Sequence, residues 1–342
     1  MSALFVSGLG CVSPAGWGVP ALRQVLNSGV PVPSHELPRP NTEKKLKVRQ
    51  IPAPPGRPEF LSHPRLRRAS TLTQYAAAAA LEALKNLPEP LGNNRRLGLV
   101  VCLQSGPVQY VSRFLEELFK DPATASPMLF PETVFAAPAS HVAALLGHTS
   151  VASSLIGDPG TFLQAIALAA EWLQESRADL CLVIGAEEIN WIQADASWYF
   201  EHNSIISAGA GALCLGTDPK ASIGVELAAI TEPRTYRAGG SQCEAARAMR
   251  KDLPPGAPNE LLCDGVVNGS TSSRAEQEAW RDWPGARLST KALLGDGLMA
   301  GSAWQCVAAC DALAEGRFSA ANVSVVGNNQ QAIGARFIRN SG

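Results

Sequence analysis

The chain has 342 residues, 46% of them hydrophobic and 17% charged, with a net charge of −1. That length can bury a large core and suggests about two domains of roughly 150 residues each. The near-zero charge removes the electrostatic footprint expected of a nucleic-acid or acidic-membrane binder.

In chain order, Ala3–Val6 is an apolar run that predicts a strand, closed by a Gly8-Leu9-Gly10 turn, and Pro20–Ser28 reads as a helix begun at a proline. Residues 28–64 form a Pro-rich, charged excursion. It carries the basic cluster Lys44–Arg49, echoed by Arg65, Arg67 and Arg68 and expected as a solvated loop, and also His35 and His63. Ser70–Leu84 predicts a helix capped by Ser70, whose alanine run allows close packing. Leu97–Leu103 is a buried strand turned out by Gln104-Ser105-Gly106, and Val111–Phe119 and Ser140–Leu146 are helical. Val151–Ile156 reads as a strand, Gly160–Gln174 as a strongly apolar helix and Asp179–Ile184 as a buried strand. Gly209–Leu215 and Ile223–Ile230 read as adjacent strands.

The second part repeats this rhythm. Ala245–Leu253, Ala275–Trp280 and Ala300–Leu313 are helical, Leu261–Val267 is a strand and Val323–Val326 is the last strand. Buried strands without period-2 alternation, interleaved with helices, imply an α/β fold with sheets covered on both faces.

The eight cysteines are Cys11, Cys102, Cys181, Cys214, Cys243, Cys263, Cys306 and Cys310. They are scattered in apolar runs with no CxxC pair, and no histidine near Cys306 and Cys310 completes a metal set, so no metal or cofactor is expected. The N-terminus has no basic segment before a long apolar run, and no stretch of about 18 apolar residues occurs. Neither a signal peptide nor a membrane span is expected, and the location expected is the cytoplasm.

Several segments, in order along almost the whole chain, resemble the β-ketoacyl synthases of the thiolase superfamily. They are 6–29, with its Ser-Pro turn, 130–150, 164–188, 208–215, 244–253, 262–278 and 289–313. The resemblance implies a five-layer αβαβα fold of two similar halves, 1–218 and 219–342. It also implies that the connection between Glu188 and Ser207 is shortened, and that dimers form through the strand near Val151–Ile156.

A ketosynthase needs a cysteine at the start of its buried helix and two histidines, with a lysine and backbone amides around them. Anchored on Ala165-Ile166 and Asp179, the cysteine position falls on Pro159, which has no nucleophilic atom. The first histidine position falls on Val267, followed by Asn268, Gly269, Ser270 and Thr271, with Glu278 as the retained downstream acid. The second falls on Asp296 after the intact Lys291-Ala-Leu-Leu-Gly295. Lys291 is expected to pair with a buried acid such as Asp296 or Glu278. The C-terminal Gly-Phe-Gly-Gly turn is replaced by Gly327-Asn328-Asn329-Gln330-Gln331.

The reading is a ketosynthase-like chain without the ketosynthase chemistry, acting as a binding subunit. The shortened connection favours an adaptor for a type VI secretion effector; the alternative partner is a ketosynthase, as for a chain-length factor, or an acyl carrier protein. The rival is an acyltransferase with a relocated site. His141, His148 and His202 are available for that, and Ser207, His202 and Glu201 form a conceivable set, but no Gly-x-Ser-x-Gly elbow occurs.

Overall fold

The computed structural model describes residues 3–340 apart from 44, 89–91, 93, 94, 148, 203, 238–241, 271, 272 and 329. Lys44, His148, Thr271 and Asn329, singled out above, lie outside the described residues.

The first half opens with β1 (Leu4–Ser13), the short β2 (Gly16–Trp17) and α1 (Val19–Ser28). A hairpin of β3 (His35–Pro38) and β4 (Lys45–Arg49) leads to α2 (Thr71–Lys85) and β5 (Leu97–Leu103). Then come α3 (Val108–Lys120), α4 (Phe130–Thr133), α5 (Ala137–Leu146) and β6 (Thr149–Ile156). α6 (Thr161–Gln174), β7 (Leu180–Glu187), α7 (Trp191–Phe200), β8 (Ile206–Ser207) and β9 (Gly209–Gly216) complete it. The second half holds β10 (Val225–Ile230), β11 (Arg234–Thr235), α8 (Gln242–Lys251), β12 (Leu261–Asp264) and α9 (Arg274–Ala279). It ends with β13 (Ala286–Ser289), α10 (Thr290–Leu294), α11 (Met299–Ala314), β14 (Ala320–Val326) and β15 (Gln331–Arg339).

The strands repeat one plan. Outward from the centre the order is β1-β9-β7-β5-β6 on one side and β10-β15-β14-β12-β13 on the other. In each set the second strand, β9 or β15, is antiparallel to both neighbours, and the outer three are parallel. The sets join where Leu4–Val6 of β1 pairs antiparallel with Val225–Leu227 of β10. α6 and α11 share one apolar core with strands from both sets, whereas α2 and α5 cover the outer face of the first set and α8 and α9 that of the second. The layers are therefore α-β-α-β-α, built from two similar halves.

The middle layer is largely apolar. Phe162 and Ile166 of α6 and Trp304 and Val307 of α11 are fully buried, each worth about 1.5–3 kcal/mol in apolar area alone. α2 begins as its sequence predicts, with the Ser70 hydroxyl accepting from the Thr73 amide at 3.2 Å. Its alanine run lets it lie directly on β1. A Cβ at Gly8 or Gly10 would collide with the carbonyls of Ala83 and Ala79, so these glycines serve close packing inside a strand rather than a turn.

Other expectations are corrected by long-range pairing. β9 and β10 are not neighbours, because β1 lies between them. The last strand is β15, not the one ending at Val326. The basic cluster is not a solvated loop, since Lys45–Arg49 forms β4 and turns Leu46 and Val48 inward against Ala194 and Ile206. The connection after Glu188 holds a helix, α7, opened by a capping box at Asn190.

Candidate functional site

The beginnings of α6 and α11 meet at a cavity of about 40 Å³ lined by Pro159, Gly265, Glu276, Lys291, Asp296 and Ser302, among others. Lys291 and Asp296 also form part of the wall of a second cavity of about 60 Å³. Pro159, Lys291 and Asp296 are thus brought together. Val267 joins Lys291 and Asp296 but not Pro159, and Glu278 joins none of them. Val267 lines only the second cavity, and Glu278 sits on the surface, paired with Arg247 at 2.6 Å. The residues that face Pro159 lie two positions earlier, Gly265 for Val267 and Glu276 for Glu278. Glu276 belongs to the buried side of a short helix and Glu278 to its exposed side, which a spacing count through the loop does not distinguish.

At the start of α6, Asp158 is buried beside Pro159. Its carboxylate accepts from the Gly160 amide at 3.1 Å, the Gln331 amide at 3.2 Å and Gln331 Nε2 at 2.9 Å. Burial raises its pKa, and the bonds from Gln331 and Gly160 pull it back. The turn that brings Gln331 here is fixed from behind, because the Tyr236 hydroxyl and Gln242 Nε2 both donate to the Gly327 carbonyl. Where the resemblance puts a gate, Gly327 and Gln331 are both held by hydrogen bonds.

At the start of α11, Lys291 Nζ lies 2.6 Å from Asp296 Oδ2. Burial opposes the lysine's charge, but Asp296, Glu276 and Glu201 outweigh it and raise its pKa. The other Asp296 oxygen accepts from the Leu298 amide at 3.0 Å. Leu298 has φ 49° and ψ −119°, a left-handed conformation that costs a leucine about 1–3 kcal/mol.

Glu276 accepts from the Gly265 amide at 3.2 Å and from the Ser324 hydroxyl. Burial and the neighbouring Asp264 carboxylate hold it well above the ordinary carboxylate range. Asp264 itself is tied to Arg287 at 2.7 Å and to Ser289.

The chemistry available is narrow. Pro159 offers no nucleophile, and the lysine's charge is met by an aspartate that repels any developing oxyanion. All eight cysteines are free thiols, and all but Cys243 are buried. The Ser207-His202-Glu201 set is not assembled. His202 stacks on Trp198 with its Nδ1 2.8 Å from the Trp198 carbonyl, and the buried Ser207 hydroxyl has no partner among the described residues. His141 is taken by Glu132 at 3.0 Å. Among the described residues no group of three or more His, Cys, Asp or Glu is placed to hold a metal ion, and no helix is long and apolar enough to cross a membrane.

No protein-family model and no curated protein matches the chain. Solved structures do. "The ishigamide ketosynthase/chain length factor" is similar over 99% of this chain and 100% of its own, with TM-score 0.81 and 18% identity. A β-ketoacyl synthase from Burkholderia phymatum STM815 is similar over 99% and 100%, with TM-score 0.80 and 15% identity. AntDE:AntF, a type II PKS acyl-carrier protein in complex with its ketosynthase bound to the hexaketide, is similar over 99% and 99%, with TM-score 0.78 and 17% identity. At these identities the likeness is one of fold. The class is the thiolase-like fold, and within it this chain is shaped as the ketosynthases and chain length factors are.

Proposed function

We propose that this chain is a non-catalytic ketosynthase-fold subunit that works by pairing with a second ketosynthase-fold chain, in the manner of a chain length factor. One observation supports the reading: at the junction of α6 and α11 these charged groups are already engaged within the chain. Lys291 is held by Asp296 and Asp158 by Gln331, around a proline. Gly265 and Glu276 then mark the register of the first histidine position and its acid, two residues before Val267 and Glu278.

The pairing surface is the free edge of β6, which ends the sheet path. An open edge invites a strand from another chain. Ile156 at its end is 55% exposed. The neighbouring elements expose Phe119, Met128, Phe130 and Val134, and the packing runs from α3 to α4, α5 and β6. A ketosynthase-fold chain presenting the same edge and apolar rim would cover both. The likeness to a ketosynthase/chain length factor supports such a partner.

The test combines two measurements on the full chain. Incubation with radiolabelled acyl- or malonyl-carrier protein should leave the protein unlabelled and release no carbon dioxide; a covalent acyl adduct overturns the non-catalytic reading. Native mass spectrometry of the purified chain, alone and co-expressed with a ketosynthase from its own gene neighbourhood, should show a dimer that Ile156→Asp with Phe130→Asp dissociates. A monomer under both conditions overturns the pairing, and a secretion effector recovered instead replaces it with the adaptor role.

A further inference from the structure

β7 ends at Glu187, Glu188 follows it, and both side chains are buried. No cation stands against either among the described residues. Glu187 accepts from the Gln104 and Ser105 amides, in the turn that leads from β5 to α3. One oxygen of Glu188 accepts from the Gln109 amide at 2.8 Å, in the first turn of α3. The other accepts from the Thr71 hydroxyl at 2.8 Å and the Leu72 amide at 3.3 Å, in the first turn of α2.

These settings divide the pair. Glu188 caps two helix starts, where free amides and the helix dipoles favour a negative charge. Glu187 has the turn amides alone and a charged neighbour. Two buried carboxylates this close do not both ionise at neutral pH without cost, so the proton goes to Glu187. Burial, with the charge of Glu188 adding to it against the pull of the two amides, raises Glu187 to about 8. Burial raises Glu188 as well, and its caps pull it back. α6, α11, β5 and β9 pack on β7 and bring no cation to Glu187 among the described residues. On the side of Glu188 the titratable neighbours are Tyr75 of α2 and Tyr110 of α3, both pushed up by burial. Tyr110 itself lies near Glu132, Arg113 and Arg68.

The helix that Glu188 caps is loosely seated. None of the 13 residues of α3 is buried. Polar contacts hold it, such as the Tyr110 hydroxyl to the Arg68 carbonyl and Gln109 Nε2 to the Ile189 carbonyl at 3.0 Å. Phe114 adds a ring contact with Phe130 of α4, with centroids 5.7 Å apart. An element with so little buried apolar contact opens at low cost.

We propose that Glu187 and Glu188 form a proton latch for α3: one proton held by the pair keeps residues 104–120 seated, and its loss releases them. The second buried charge is relieved when the turn at 104–106 moves out and admits water. Release displaces Leu115 and Phe119, which α3 exposes, and removes Phe114 from Phe130, so the apolar rim of the pairing surface comes apart. That consequence rests on the pairing reading, and the latch does not.

Hydrogen exchange of the full chain, corrected for the intrinsic rate, is read by mass spectrometry at about pH 6.5 and about pH 9. An opening linked to one proton grows about tenfold per pH unit above the pKa. With Glu187 at about 8, the amides of 110–120 should open about tenfold more at the higher pH while those of α6 stay unchanged. Glu187→Gln should erase the difference. Glu276→Gln removes the other buried acid raised to this range and should keep it, which decides between the two acids even if Glu187→Gln does not fold. An unchanged α3, an equal response in α6, or a difference kept in Glu187→Gln or lost in Glu276→Gln overturns the latch. Sedimentation at the same two pH values tests the consequence separately. The dimer should weaken as α3 opens; a dimer indifferent to the opening overturns the link to pairing, and a monomer at both values overturns the pairing reading alone.

Discussion

The starts of α6 and α11 occupy equivalent places in the two halves, yet they are held differently. Each has an aspartate three residues before the first helical residue, Asp158 ahead of Thr161 and Asp296 ahead of Met299. Each aspartate accepts from the amide two residues on, at 3.1 Å from Gly160 and 3.0 Å from Leu298. The remaining valence differs: Asp158 takes a neutral amide from Gln331, and Asp296 takes the ammonium of Lys291. The first start is relaxed, with Gly160 at φ −64°, and the second is strained at Leu298. A repeated fold can thus keep the same aspartate cap on a relaxed backbone in one half and a strained one in the other.

The largest test of this comparison removes the two buried aromatic anchors. Phe162→Ala and Trp304→Ala should each cost about 3–5 kcal/mol in urea unfolding. Trp304 should be the worse, because its indole N–H lies 3.1 Å from both the Val12 and the Ala210 carbonyls, which the variant leaves unmet. Equal costs would mean that packing alone distinguishes the two helices.

Each half also buries a glutamate whose carboxyl is held up, Glu187 and Glu276. Burial, against the pull of the Gln104 and Ser105 amides, brings Glu187 from 4.5 to about 8. The folded state therefore binds this proton more tightly than the unfolded one. Its contribution is complete below pH 4.5 and is lost as pH rises towards 8. Glu187→Gln should flatten the decline of stability across that window, measured by unfolding at fixed pH values.

A smaller pair of changes exchanges the two backbones. Gly160→Ala should destabilise by about 1–3 kcal/mol through overpacking, because its Cβ would stand 2.9 Å from Gln331 Cγ and Ile333 Cγ2. Leu298→Gly deletes a half-buried side chain but releases backbone strain, so its net cost should stay under about 1 kcal/mol. A large loss at position 298 would show that the strain is not stored there. The least effect is expected from Pro159→Cys. A thiol restored beside Asp296 and Gly265 has no histidine to activate it, and intact-mass measurement with an acyl thioester should find no adduct.

Much of the architecture was legible because it is written locally. The alanine run of α2, the apolar α6 and the buried α11 announce themselves by composition and caps. What escaped depends on distant partners. β15 reads as polar because of Gln331 and Arg336, and Arg336 is half-buried against Glu260 at 2.7 Å. Arg49 looked like one more surface cation in a basic run, and alternation along β4 places it with the exposed Lys45 and Lys47, yet it is buried at the strand's end. At the site, Pro159, Lys291 and Asp296 could be placed because rigid helices flank them. Gly265 and Glu276 were missed because 268–273 is a run of small polar residues, through which a two-residue slip changes no pattern.

The joint between the halves has a consequence for biosynthesis. All ten residues of β1 are buried, and their partners are β9 and β10, as with Leu4 against Leu227. At about 5–20 residues per second, a nascent chain would carry this apolar strand unpaired for roughly 10–40 s. The opening segment is therefore a natural client for a ribosome-associated chaperone, and folding of the first sheet must wait for translation to pass its midpoint.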